Sequence, residues 1–158
     1  MEILKKEDNI IFIRHATAPR NGDPPNFNIV DCSTQRNLSK DGMLQALKFG
    51  KYKKKNDIKI TKVLSSEWCR CKDTAKIAFG NYETKNFLNS FYDERFSENK
   101  DKQILDFKKF IQNWDRSGNL VLVTHYVVIS EVLDLITSSG EIVITDPNLK
   151  FLSSLEIN

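Results

Sequence analysis

The chain is poor in the residues that break or staple a fold. Six glycines and four prolines in 158 residues are too few for a low-complexity or collagen-like polymer. Charge is nearly balanced, at +3, which suits an anionic substrate but lacks the strongly basic surface of a nucleic-acid binder. No apolar run approaches the ~20 residues that span a bilayer. The opening segment MEILKKEDNI holds no apolar stretch of signal type, so a cytoplasmic protein is expected, an exported mature form being the other reading. Histidines number two and cysteines three. Cys32, Cys69 and Cys71 lack the paired C-x-x-C spacing of a structural metal site, and no metal is expected. Cys69 and Cys71 lie two apart on a predicted helix and so point to different sides. Free thiols are the expectation, with a disulfide from Cys32 to Cys69 or to Cys71 as the alternative for an oxidising compartment.

What is present is ordinary globular material: 40% hydrophobic and 28% charged residues, enough in one chain of this length for a single core and a single domain over 1–158. Apolar runs alternate with helical patterns, which predicts an α/β domain of three layers, α/β/α, with a mostly parallel sheet and an antiparallel C-terminal edge. Asn9 to Ile13 reads as a strand buried on both faces. A polar stretch from Ala16 to Asn37 follows, unusually long for a structureless loop unless it serves function. Ser39 caps a predicted helix to about Asn56 with Met43, Leu44, Ala46, Leu47 and Tyr52 inward. A second strand spans Ile58 to Leu64 and a helix runs from Glu67 to Phe79. A weak strand is predicted near Glu83 to Leu88. An amphipathic helix carries Ile104, Leu105, Phe107, Phe110, Ile111 and Trp114. Asn119 to Thr124 is the third clear strand, and Val127 to Ile136 an apolar helix. EIVIT and KFLSSLEI, around Asp146-Pro147-Asn148, form a terminal hairpin.

The two histidines sit at informative places. His15 directly follows the first buried strand and His125 the third, and ligands of open α/β sheets bind just beyond the carboxyl ends of strands. Arg14 adjoins His15, and Arg70 lies in the first turn of the helix after the second strand. Guanidinium forks match phosphate oxygens, and helix N-termini add N–H groups. A neutral imidazole among such cations can attack phosphorus and form a phosphohistidine that water hydrolyses. Arginines and a second imidazole would stabilise the charge on the transferring group.

These segments resemble the histidine phosphatase superfamily, with its phosphoglycerate-mutase-like fold, and its small SixA-like members in particular. The matching pieces are Ile13-Arg14-His15-Ala16-Thr17, Asn37-Leu38-Ser39 with Gly42 and Ala46, Leu64-Ser65-Ser66 with Arg70-Cys71 and Thr74-Ala75, and Val123-Thr124-His125. They lie in order across roughly residues 10 to 130. The resemblance implies His15 as nucleophile and Arg14, Arg70 and His125 as the phosphate pocket. Arg36 is similar to an arginine that the short members place against phosphate. Thr17 and Gln35 would come from the long loop as one wall of the pocket. No cofactor is implied. The substrate would be a phosphorylated small molecule or phosphoprotein and the product inorganic phosphate, with no nucleic-acid or membrane partner.

Two departures follow. Ala16 stands where glycine is usual. Leu88-Asn89-Ser90 stands where many members carry a general-acid glutamate, leaving Asp93, or Glu94 beside it, as the substitute acid. Without one, activated leaving groups such as aryl phosphates or phosphohistidine would be favoured over alkyl esters. Competing readings are a non-catalytic phosphate or phosphoprotein binder and a phosphoglycerate-mutase-type phosphotransferase. A nucleic-acid patch at Lys51–Lys55 is the weakest, since cations there complement the end of a helix. Trp68 is either core or pocket mouth.

Overall fold

The computed structural model describes residues 2–157. Its centre is a six-stranded sheet in the order β3-β2-β4-β1-β5-β6. The strands are β1 (Ile10–Arg14), β2 (Ile60–Ser65), β3 (Glu83–Thr84), β4 (Asn119–Thr124), β5 (Glu141–Thr145) and β6 (Phe151–Glu156). The first four are parallel to one another, and β5 and β6 add the antiparallel edge. The helices are α1 (Glu2–Lys5), α2 (Lys40–Lys55), α3 (Cys69–Phe79), α4 (Lys100–Asn113) and α5 (Tyr126–Leu133).

Alternation along β1 divides the core in two. Ile11 and Ile13 face a cluster with Leu4, Phe49, Cys71, Ala75 and Val123, so α1, α2 and α3 cover that side. Ile10 and Phe12 face Phe87, Phe107, Ile111, Leu122 and Ile129, so α4 and α5 cover the other. This is the expected three-layer α/β/α arrangement. Every residue of β4 is buried, which suits a central strand read as NLVLVT, and each large apolar side chain there contributes roughly 1.5–3 kcal/mol. Among the described residues no helix is long and apolar enough to cross a membrane.

Several local readings need correction. α2 begins as expected, with the Ser39 hydroxyl accepting from the Gly42 amide, but Met43, Leu44 and Leu47 are exposed. The buried stripe is Gly42, Ala46 and Phe49. A Cβ on Gly42 would stand 2.1 Å from the Thr17 carbonyl oxygen, and one on Gly50 2.6 Å from that of Ala78. Close backbone approach therefore decides which face turns inward, against the pull of the larger side chains. On α4, Leu105 is likewise exposed, while Gln103, Phe107 and Ile111 are buried. The weak strand shrinks to Glu83–Thr84, after which a 3-10 turn at Asn86–Leu88 drives Phe87 and Leu88 into the core. The last apolar helix stops at Leu133, where Asp134 adopts a left-handed φ of 55°.

The expectation of free thiols fails for two of the three cysteines: Cys32 and Cys69 form a disulfide. Only Cys71 is free, and it is buried. The pairing ties the long loop to the first residue of α3.

Candidate active site

The carboxyl ends of β1, β2 and β4 open on one cleft of about 200 Å³, lined by Arg14, His15, Arg36, Arg70 and His125 among others. Backbone bonds fix the strand ends: the His15 amide donates to the Thr124 carbonyl, and the Ser66 amide to that of Val123. Five side chains proposed from sequence for the phosphate pocket thus meet in one place. The rings of His15 and His125 stand 5.5 Å apart, edge to face.

His15 is 2% exposed. Its Nδ1 lies 2.9 Å from the Ala16 carbonyl oxygen; a carbonyl only accepts, so Nδ1 carries the proton and Nε2 is the unprotonated nitrogen. Arg70 Nε donates to that Nε2 at 3.2 Å. Burial, then the Arg70 charge, pushes the His15 pKa well below its ordinary value, which favours the neutral ring. His125 is depressed likewise, again by burial first and Arg70 next. Its Nε2 meets the Ser66 hydroxyl at 2.9 Å. The Ser66 hydroxyl also donates to Asn89 Oδ1, so this contact fits either tautomer of His125. His125 Nδ1 is buried with no hydrogen-bond partner, as are Arg14 Nε and Arg36 Nε. Buried polar nitrogens without partners are rare and call for an explanation; here all three belong to side chains of the same cleft. Arg14 also donates through Nη1 to the Thr137 carbonyl.

Asp23 was not singled out from sequence, yet it organises the cleft. Its Oδ1 accepts from Arg70 Nη1 at 3.0 Å and from the Arg36 amide at 3.0 Å. Its Oδ2 accepts from Trp68 Nε1 at 3.0 Å. The Arg70 and Asp23 side chains are 5% and 7% exposed. Trp68 is thus both core and pocket wall, 2% exposed and set edge-on to His125. Gln35 is a brace: Oε1 accepts from the Cys69 amide, and Nε2 donates to the Asn28 and Ile29 carbonyls.

Two site expectations are corrected. Thr17 does not line the cleft. Its amide and hydroxyl both donate to Gln45 Oε1, and its carbonyl receives the Ser39 amide, so it anchors the loop to α2. Asp93 does line the cleft, but its carboxylate is held by Arg95, through Nε at 3.0 Å and Nη2 at 2.9 Å. Those bonds keep it below the ordinary carboxyl range, the wrong direction for an acid that must carry a proton. Glu94, the substitute beside it, is not among the lining residues. Ala16 is fully buried, with its amide donating to Thr74 Oγ1. Among the described residues no three His, Cys, Asp or Glu side chains converge so as to hold a metal ion.

No family model matches the sequence, and no curated protein does. Solved structures do match. A phosphoglycerate mutase from Thermus thermophilus superposes over 95% of this chain and 99% of its own, with a TM-score of 0.64 at 17% identity. The protein histidine phosphatase SixA, complexed with tungstate, superposes over 94% and 96% with a TM-score of 0.58 at 13% identity.

Proposed function

We propose that this chain, whose fold is that of the histidine phosphatase and phosphoglycerate mutase structures, hydrolyses phosphate monoesters in two steps through a phosphohistidine on His15. The observation that carries the reading is the set of three buried, unpartnered nitrogens, on Arg14, Arg36 and His125, around a neutral His15. A tetrahedral dianion would accept from the two guanidinium nitrogens and from the Nδ1–H tautomer of His125, and would also meet Arg70. In the first step His15 Nε2 attacks phosphorus, the N–P bond forms, and the ester P–O bond breaks with its electron pair on the leaving oxygen. In the second, water attacks phosphorus, the N–P bond breaks, and phosphate departs as the water proton passes to solvent. The arginines and His125 hold the equatorial oxygens as charge shifts among them, an electrostatic contribution of ~3 kcal/mol per well-placed donor.

The partners under this reading are a phosphorylated small molecule or phosphoprotein as substrate and inorganic phosphate as product. The disulfide supports an oxidising compartment, hence the exported form, over the cytoplasm. Turnover tests the proposal: p-nitrophenyl phosphate should be hydrolysed without added metal. A phosphoryl group should be trapped on His15 by rapid quench at alkaline pH. His15→Ala should lower the rate by ~10⁴-fold or more, the scale of losing a covalent nucleophile. Tight phosphate binding with no turnover of any ester would instead establish the non-catalytic binder, and strict dependence on a divalent metal would contradict the mechanism.

A further inference from the structure

Beyond the phosphate end, the cleft is walled by aromatic rings: Trp68, Tyr92, Phe96 and Tyr126 all line it. Two of these are placed to touch a bound group. Tyr126 follows His125 directly and carries the Arg14 guanidinium over its face, 5.1 Å from the ring centroid. Tyr92 faces it from the opposite segment, with ring centroids 5.9 Å apart and planes inclined at 56°. At 59% exposure Tyr92 is no core residue; it leaves a large part of its ring uncovered beside the cleft.

The segment bearing Tyr92 is held in place. Arg95 donates to the Pro24 and Pro25 carbonyls and grips Asp93, while its guanidinium lies over the rings of Phe27 and Phe96. Phe27 in turn stacks on Trp68 at 4.9 Å. Tyr92 therefore stands on a braced rim, which lowers the ordering cost of a contact to it.

The chemistry of the walls agrees. Asp23 and Asp93 are the carboxylates lining the cleft. Asp23 accepts on both oxygens from Arg36, Arg70 and Trp68, and Asp93 accepts on both from Arg95. Each is engaged as an acceptor, so neither offers a proton to a departing oxygen. A substrate whose oxygen leaves readily as an anion needs none, and phenolates leave far more readily than alkoxides.

We propose that Tyr92 and Tyr126, packed on one another, form an aromatic wall for the leaving group and that the substrate class is an aryl phosphate, the phosphoryl ester of a phenol. This rests on the hydrolase reading above. The P–O bond to the ring breaks with its electron pair on the phenolate, which takes a proton from water after release. Ring-on-ring contact supplies the binding that an alkyl group cannot match.

The test is kcat/KM for phenyl phosphate against glycerol 3-phosphate, in the native protein and in Tyr92→Ala. The native protein should favour the aryl ester by at least 100-fold, and the variant should lose about tenfold of that ratio, the scale of one aromatic contact. A phosphotyrosyl peptide run beside phenyl phosphate distinguishes a protein source of the aryl ester from a small-molecule one. A second measurement is independent of turnover: phenylphosphonate should bind more tightly than methylphosphonate by calorimetry, and Tyr92→Ala should narrow that gap. Equal rates on aryl and alkyl esters, or a phenyl preference that survives Tyr92→Ala, overturns the aromatic wall while leaving the hydrolase intact. Absence of all turnover with the phenyl preference in binding retained overturns the hydrolase and leaves the aromatic subsite.

Discussion

The ends of β1 and β4 bring Arg14, His15 and His125 to the cleft on backbone that the sheet holds from both sides. Residues 16–39 bring Asp23 and Arg36 to the same cleft on a segment whose regular structure is one 3-10 turn and an isolated bridge. In the first region position follows from the ladder and from buried apolar side chains. In the second it follows from a few specific polar bonds and one covalent tie: Asp23 to Arg70 and Trp68, Gln35 to the Cys69 amide, Cys32 to Cys69. Such bonds position groups as firmly as a strand does, but each is a single point of failure.

The largest test of that contrast is the disulfide. Closing a loop with a sequence separation of 37 is worth roughly 4 kcal/mol on chain-entropy grounds. Cys32→Ser should therefore lower the unfolding free energy by about that much in urea titration. Hydrogen exchange should show which region loosens first. The amides of Thr34, Gln35 and Arg36, bonded within the loop, should lose protection before those of β1 and β4. Uniform loss across both regions would break the comparison.

Asp23→Ala comes next. It strips a buried guanidinium of its partner, a change that costs about 3 kcal/mol. It also releases the Arg36 amide and the Trp68 indole. Unfolding free energy should fall by that amount, whereas Asp93→Ala, which breaks a solvent-screened pair on the rim, should cost only a small fraction of it. Equal effects would mean that the buried carboxylate does not brace the cleft.

Which parts were readable beforehand follows the same division. β-branched runs such as NIIFI and NLVLVT mark buried strands by themselves, and residues just past a strand's carboxyl end inherit a place in the cleft. Arg14, His15, Arg70 and His125 were legible for that reason. Asp23 was not, because nothing within its neighbours Gly22, Pro24 and Pro25 signals a partner 47 residues away. Thr17 was misplaced because its hydroxyl could serve a ligand or the scaffold equally well, and only the nearness of Gln45 decides for the scaffold. The cysteines lacked a local signal too: Cys69 and Cys71 differ by two positions, and only the approach of the loop selects Cys69. Asp93 had a plausible place but also a neighbour, Arg95, two residues on, which claims its oxygens.

A smaller effect probes where the loop leaves the sheet. Gly42→Ala would push a methyl group against the Thr17 carbonyl oxygen, which also receives the Ser39 amide and so anchors the start of α2. Overpacking of this kind costs about 2 kcal/mol, with the midpoint of thermal unfolding as readout. An unchanged midpoint would show that the loop entry gives way freely, against the view that it is pinned.

The last prediction isolates the sheet-borne pair through pH. Both imidazoles are pushed well below their ordinary value of 6.5 by burial first and Arg70 next, so the unfolded chain takes up protons on them that the folded chain refuses. Above about pH 7.5 both states are neutral and stability should not depend on these groups. As pH falls through 6.5 the unfolded state gains protons, and stability should decline by up to about 1.4 kcal/mol per pH unit for each imidazole. Between pH 7.5 and 5.5, above the range where carboxylates titrate, urea unfolding should show this slope in the native protein. In His125→Asn one of the two contributions should vanish, leaving the slope due to His15. A native profile flat across that window would mean that the rings accept protons in the folded state, and the neutral His15 that the proposed hydrolysis requires would be lost with them.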